Sequence, residues 1–185
     1  MALPALPVLV NAVLFQVVWF AAVIGAGNGL AWPGVLAVAV FAAVTLRERA
    51  TRASDLRLIM IAAVLGGLLD SAFVASGLLR YAAQWPVAGL APAWIVALWI
   101  NLALALNHSL RWVRPHPAWA AALGAIAAPL SYLGAARGWD AVAFAEPMWR
   151  TLGIVAACWA VLMGILVAIA RHDARVPSVA NVEIA

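Results

Sequence analysis

Apolar runs recur along this chain at lengths that hydrocarbon, not water, selects. A helix needs about 20 mostly apolar residues to cross a bilayer core. Six stretches approach or exceed that length: Leu6–Gly25, Leu30–Leu46, Leu58–Leu79, Trp94–Leu110, Ala118–Ala136 and Met148–Ala170. The 185 residues are 68% hydrophobic and 10% charged, against about 25% charged in an ordinary soluble domain. A soluble domain this small would need more polar residues to cover its surface, so the surplus apolar surface is expected to face lipid. Lipid offers no partners to backbone N–H and C=O groups, and the unbroken runs lack the alternation of a membrane β-barrel. The expected fold class is therefore all-α: a polytopic transmembrane helix bundle of six spans. Residues 1–171 would form a single integral-membrane helical domain and 172–185 a short cytoplasmic tail.

The arginines orient the bundle. With six spans and the N-terminus inside, Arg47, Arg49, Arg52, Arg57, Arg111, Arg114, Arg171 and Arg175 fall on the cytoplasmic side and only Arg80, Arg137 and Arg150 opposite. That bias predicts both termini in the cytoplasm. The segment from Arg47 to Arg57 reads as a solvated loop. The net charge of +4 is spread over short connections, which argues against a nucleic-acid partner. Cys158 stands alone, so neither a disulfide framework nor a paired metal site is expected. The N-terminal run is expected to be retained as a span, since no Arg precedes it and it carries Asn11 and Gln16; its cleavage would leave five spans.

Polar residues inside spans carry a free-energy penalty, which makes them the first functional candidates; the competing expectation is that they only bind helices together. Asp70 lies about 12 residues into the third run, roughly 18 Å from its cytoplasmic end. Gly66, Phe73 and Gly77 share its helical face, which would let another helix approach closely. No Arg lies at its depth, so Asp70 is expected to be either protonated or surrounded by donors. In the fourth run Trp94, Asn101 and His108 recur every seven residues along one stripe, with Asn107 and Ser109 beside His108. His108 suits proton handling or a headgroup contact. Gln16 lies near midplane, one turn from Trp19, and points away from Asn11. On the fifth run Pro129 frees the carbonyl of Ala125 beside Ser131 and Tyr132. Depth sorts these residues into two layers: Asp70, Gln16, Ser131 and Tyr132 in one, His108, Asn107 and Asn11 in the other, with Asn101 between. Metal-ligand spacings, a phosphate-binding loop and a nucleophile elbow are missing from the sequence, and no cofactor is expected.

Several of these residues form a recognisable pattern. Asn11, Phe15-Gln16 and Trp19-Phe20 open it, followed by Asp70, Pro92, Trp94, Trp99 and Leu106-Asn107-His108-Ser109-Leu110 with Trp112. Gly124-Ala125, Pro129-Leu130-Ser131-Tyr132 and Gly134 close it. On these residues the chain resembles a bacterial inner-membrane family, the domain-of-unknown-function family 2878. The resemblance covers most of residues 11–135; where the family commonly has Gly before the proline, this chain has Ala128. It implies a compact multi-pass protein of the inner (cytoplasmic) membrane, companion in some genomes to lipid-modifying enzymes, and supplies no settled activity.

The function expected from these features is an intramembrane polar site, built around Asp70 and His108, for a lipid-like or other hydrophobic small molecule. Asp70 and His108 are the candidates for any catalytic role, with Gln16, Asn101, Asn107, Ser131 and Tyr132 as ligand-binding residues. Two other classes stay open. One is a proton-linked transporter or carrier with Asp70 as proton site. The other is an assembly subunit whose polar residues only pack helices, with a membrane-protein partner or a second copy beside it.

Overall fold

A computed structural model gives the fold and describes residues 6–175. Six helices follow one another: α1 (Leu6–Gly27), α2 (Trp32–Thr45), α3 (Arg52–Ala75), α4 (Ala93–Leu106), α5 (Pro117–Trp139) and α6 (Met148–Asp173). The all-α expectation holds with one addition. Strands β1 (Leu79–Tyr81) and β2 (Val142–Phe144) form a two-stranded antiparallel sheet pairing Leu79 with Phe144 and Tyr81 with Val142. It ties the α3–α4 connection to the α5–α6 connection.

The first and third helices end in the same way. After α3, Leu78 N–H bonds to the carbonyl of Phe73 and Gly77 N–H to that of Val74, with Gly77 at φ +71°. After α1, Leu30 N–H reaches the carbonyl of Gly25 and Gly29 N–H that of Ala26, with Gly29 at φ +76°. Both are Schellman closures, which place a glycine where the left-handed backbone carries no Cβ penalty. Gly77 is therefore the stop of α3 rather than part of its packing face, and the third apolar run is helical only to Ala75.

Four helices are long and apolar enough to cross a membrane: α1, α3, α5 and α6. Helices α2 and α4 have 14 residues each, about 21 Å at 1.5 Å per residue, short of the roughly 30 Å core. They correspond to the second and fourth expected spans. Helix α4 is the buried centre of the bundle, packed by α1, α2, α3 and α6, and α5 packs chiefly along α6. At Gly124 a Cβ would meet Met163 and the carbonyl of Trp159 at 2.7–2.8 Å, so the close approach of α5 and α6 depends on that glycine. Apart from Gln16 on α1, the outward faces between helix ends are apolar: Val13 and Val17 on α1, Leu36 and Val40 on α2, Val64 and Leu68 on α3, Ile126 and Leu130 on α5, Val161 on α6. Asp70, Asn101 and Tyr132 point inward instead, the arrangement of a protein whose solvent is lipid. Trp32, Trp85, Trp112, Trp119 and Trp149 are exposed near helix ends, whereas Trp94 is buried.

Other boundaries also differ from the sequence reading. Helix α3 begins at Arg52, so half of the expected solvated loop is helical, and Asp55 within it is fully buried. Its partners, Asn107 and His108, lie just past the end of α4, which no local pattern reveals. Helix α4 stops at Leu106; His108 and Leu110 N–H groups both turn back to the carbonyl of Ala105. His108 therefore sits in a turn, off the stripe that carries Trp94 and Asn101. Helix α6 continues to Asp173, and the rest of the expected tail, from residue 176, lies outside the described residues.

Candidate functional site

Three elements converge on the carboxylate of Asp70 in α3. Tyr132 of α5 donates its hydroxyl to Oδ1 at 2.6 Å, Tyr81 of β1 donates to the same oxygen, and Trp99 of α4 donates Nε1–H to Oδ2 at 2.6 Å. Asp70 is wholly buried. The donors expected around it are present. Each donor has a local cause. The glycine turn after α3 folds β1 back over the helix, and the alternation of a strand aims Leu79 and Tyr81 inward with Arg80 outward. Trp99 reaches Asp70 because Gly66, one turn away, leaves room: a Cβ there would fall 2.1 Å from the indole. The close approach expected at Gly66 is thus made by a side chain of α4. Trp159 of α6 stacks on Trp99 with centroids 4.1 Å apart and meets Tyr132 edge-on.

Beside this aromatic cage lies a cavity of about 550 Å³, within the range of about 300–1,000 Å³ typical of small-molecule sites. Its walls come from α1 (Phe15, Gln16, Trp19), α4 (Trp94, Leu98, Trp99, Asn101), α5 (Gly124, Ala128, Ser131, Tyr132) and α6 (Trp159, Met163). Asp70 is not a lining residue; Trp99 and Tyr132 stand between it and the space. Among the lining residues only Gln16 on α1 and Ala127 and Leu130 on α5 are exposed, so the cavity opens between α1 and α5 on the lipid-facing side. Beside the opening Trp19 donates Nε1–H to Ser131 Oγ at 2.7 Å, and Trp19, Phe20 and Trp139 form edge-on contacts that join the two helices. Asn101 donates to the carbonyl of Phe15 at 3.0 Å, fixing α4 to α1.

A second polar cluster sits at the other end of α3. Fully buried Asp55 accepts from Asn107 Nδ2 at 2.8 Å on Oδ1, and His108 Nε2 lies 3.0 Å from Oδ2. Asn107 also donates to Ser54 Oγ and accepts from Arg114 Nη1 at 3.2 Å. Ser54 donates to Asp173 on α6, which Arg57 pairs at 2.7 Å. Asn11 joins α1 to the same end through the carbonyl of Leu104 and the N–H of Ser109. Partial burial holds the Arg114 guanidinium below its usual range; neighbouring Arg111 adds to that shift and Asp55 opposes it.

The residues singled out from sequence thus separate. Gln16, Asn101, Ser131 and Tyr132 line one cavity, and Asp70 lies directly behind its wall. Asn107 and His108 belong to the second cluster: Asp55, which they contact, is 15 residues from Asp70 along α3, about 22 Å. Asp70 and His108 do not share a site. Sequence reasoning missed Asp55, Tyr81 and the structural part played by Trp99 and Trp159. One available signal was that the chain has just two tyrosines, and both bond to the one carboxylate deep in the membrane.

An inside-out helical bundle, a two-tiered set of buried polar nodes and a lipid-facing cavity define a multi-helix membrane protein. The chain belongs to the family described as proteins of unknown function, DUF2878, whose model matches residues 8–165. No curated protein and no solved structure matches it.

Proposed function

We propose that this chain is an inner-membrane protein of bacteria that holds a lipid-like or other hydrophobic small molecule in the cavity between α1, α4, α5 and α6. All six helices would lie in the membrane, α2 and α4 as short embedded elements, with both termini cytoplasmic. The observation that carries the reading is the cavity itself. It is large enough for a ligand, walled by Trp, Phe, Leu and Ala side chains, and open toward lipid between α1 and α5. Apolar enclosure with a few fixed polar groups is the usual build of a small-molecule site. In this reading Asp70 is a positioning residue, holding Tyr132 and Trp99 in the wall, and His108 belongs to the polar end of the bundle, where headgroups and water begin. Orientation draws support from the arginines: Arg57, Arg111, Arg114 and Arg171 gather where the start of α3 meets the ends of α4 and α6.

Native mass spectrometry of protein extracted with its lipids tests the proposal. A defined lipid-like species should remain bound to wild type and be lost from Ala127→Phe, which places a ring at the exposed mouth without entering the core. Retention of the same species by both proteins, or of bulk phospholipid alone, would overturn it. A reporter fused after residue 185 should be active only in its cytoplasmic form.

A further inference from the structure

Gln16 is the exposed polar residue of the cavity mouth, and its amide finds no partner among the described residues. It stands ten residues into the 22-residue helix α1, about 15 Å from either end. A glutamine side chain is too short to reach interfacial water from there, and an unpaired amide facing hydrocarbon is destabilising. The cavity behind it contains no Asp, Glu, Arg or His among its lining residues. The one carboxylate nearby, Asp70, has both oxygens occupied by Tyr81, Tyr132 and Trp99 and is shielded by the last two. An ionised ligand group would find no counter-charge among these side chains, so burying it would be strongly unfavourable. A neutral oxygen at Gln16 satisfies the amide, and an apolar chain fills the space beyond.

Resting on the proposed ligand cavity, we infer that it selects an uncharged amphiphile, admitted sideways between α1 and α5, whose neutral hydroxyl or ester oxygen hydrogen-bonds to the Gln16 amide while its apolar chain lies against the indoles of Trp99 and Trp159. The lateral path is the one the geometry leaves: Ala127 and Leu130 face Gln16 across the mouth, and the α1–α5 joint of Trp19 with Ser131 lies beside it rather than over it.

The indoles supply the readout. Purified full-length protein in nanodiscs of unbrominated phospholipid is titrated with dibromostearic acid methyl ester, or with dibromostearic acid at a pH where the acid is ionised, and tryptophan fluorescence is followed. The ester should quench saturably and be displaced by unbrominated methyl stearate, while the ionised acid quenches only in the weak, linear manner of a bulk lipid. Gln16→Leu, which removes no hydrogen bond among the described residues, should keep its melting temperature and weaken ester binding about 3- to 10-fold, the worth of one hydrogen bond. Equal saturable quenching by acid and ester would overturn the selection of an uncharged ligand while leaving the cavity a binding site. Unaltered ester affinity in Gln16→Leu would overturn the assigned contact. Saturable quenching by neither probe would sink the ligand cavity itself, and with it this inference; a stable dimer in that case would assign the groove to a second copy of the chain.

Discussion

Helix α3 buries two carboxylates completely, and its two ends solve the same problem with different chemistry. Deep in the bundle, Asp70 is met by two phenols and an indole, neutral donors that carry no charge of their own into hydrocarbon. Near the start of the helix, Asp55 is met by an amide and an imidazole, and beyond them by Arg114, Ser54 and the Arg57–Asp173 pair. A buried acceptor must be satisfied in either place. The difference is access to water: His108 and Arg114 are only partly buried, so ionic partners can stay solvated at one side, whereas no such relief exists at the depth of Asp70. Aromatic donors are the solution compatible with a dry interior, and they also furnish the wall of the cavity.

The comparison predicts a ranking of substitutions, each read as thermal or denaturant unfolding of the detergent-solubilised protein. Asp70→Ala strands three buried donors from three different elements, and should lower stability by at least about 3 kcal/mol, at roughly 1–3 kcal/mol per unpaired group. A loss below that of His108→Ala would break the contrast between the two ends. Gly66→Ala drives a methyl into the Trp99 indole and should destabilise by about 2–3 kcal/mol, the range of overpacking. Its tryptophan emission should shift as Trp99 leaves Asp70; an unchanged spectrum would show that the indole does not need that glycine. His108→Ala should lower stability by only about 1 kcal/mol, because Asn107 stays on Asp55 and water can reach the vacated position. Arg57→Ala removes a half-exposed ion pair with Asp173, worth about 0.2–1 kcal/mol and fading in high salt. A large salt-insensitive loss there would mean that the second cluster is as dry as the first.

What could be read in the sequence differs between the same two regions. Asp70 stood out because it is an acid inside an apolar run, and Gly66 on its face announced a close neighbour. That neighbour's identity was not legible: Trp99, Tyr132 and Tyr81 come from elements 29, 62 and 11 residues away. Asp55 was hidden for the opposite reason. Set among arginines, it has the local composition of a solvated loop, and only its contacts with Asn107 and His108, more than 50 residues on, turn that segment into a buried helix start. The β1–β2 pair was beyond reach as well, since three-residue strands leave no periodic pattern and pair across more than 60 residues.

Apolar run length, the scarcity of charge and the placement of arginines by themselves determined that this is a helical protein of the membrane, because those properties follow from solvation and act locally. Membership of polar residues in one node or another was decided only by tertiary structure. A hydrogen bond of under 3 Å requires two helices to bring particular faces to the same depth, and that convergence depends on where helices stop, which glycines admit a neighbour, and which connections fold back. The sequence could rank Asp70 and His108 as candidates; the packing of α4 against α3 decided that they belong to opposite ends of α3, one behind a cavity and the other at the bundle's polar end.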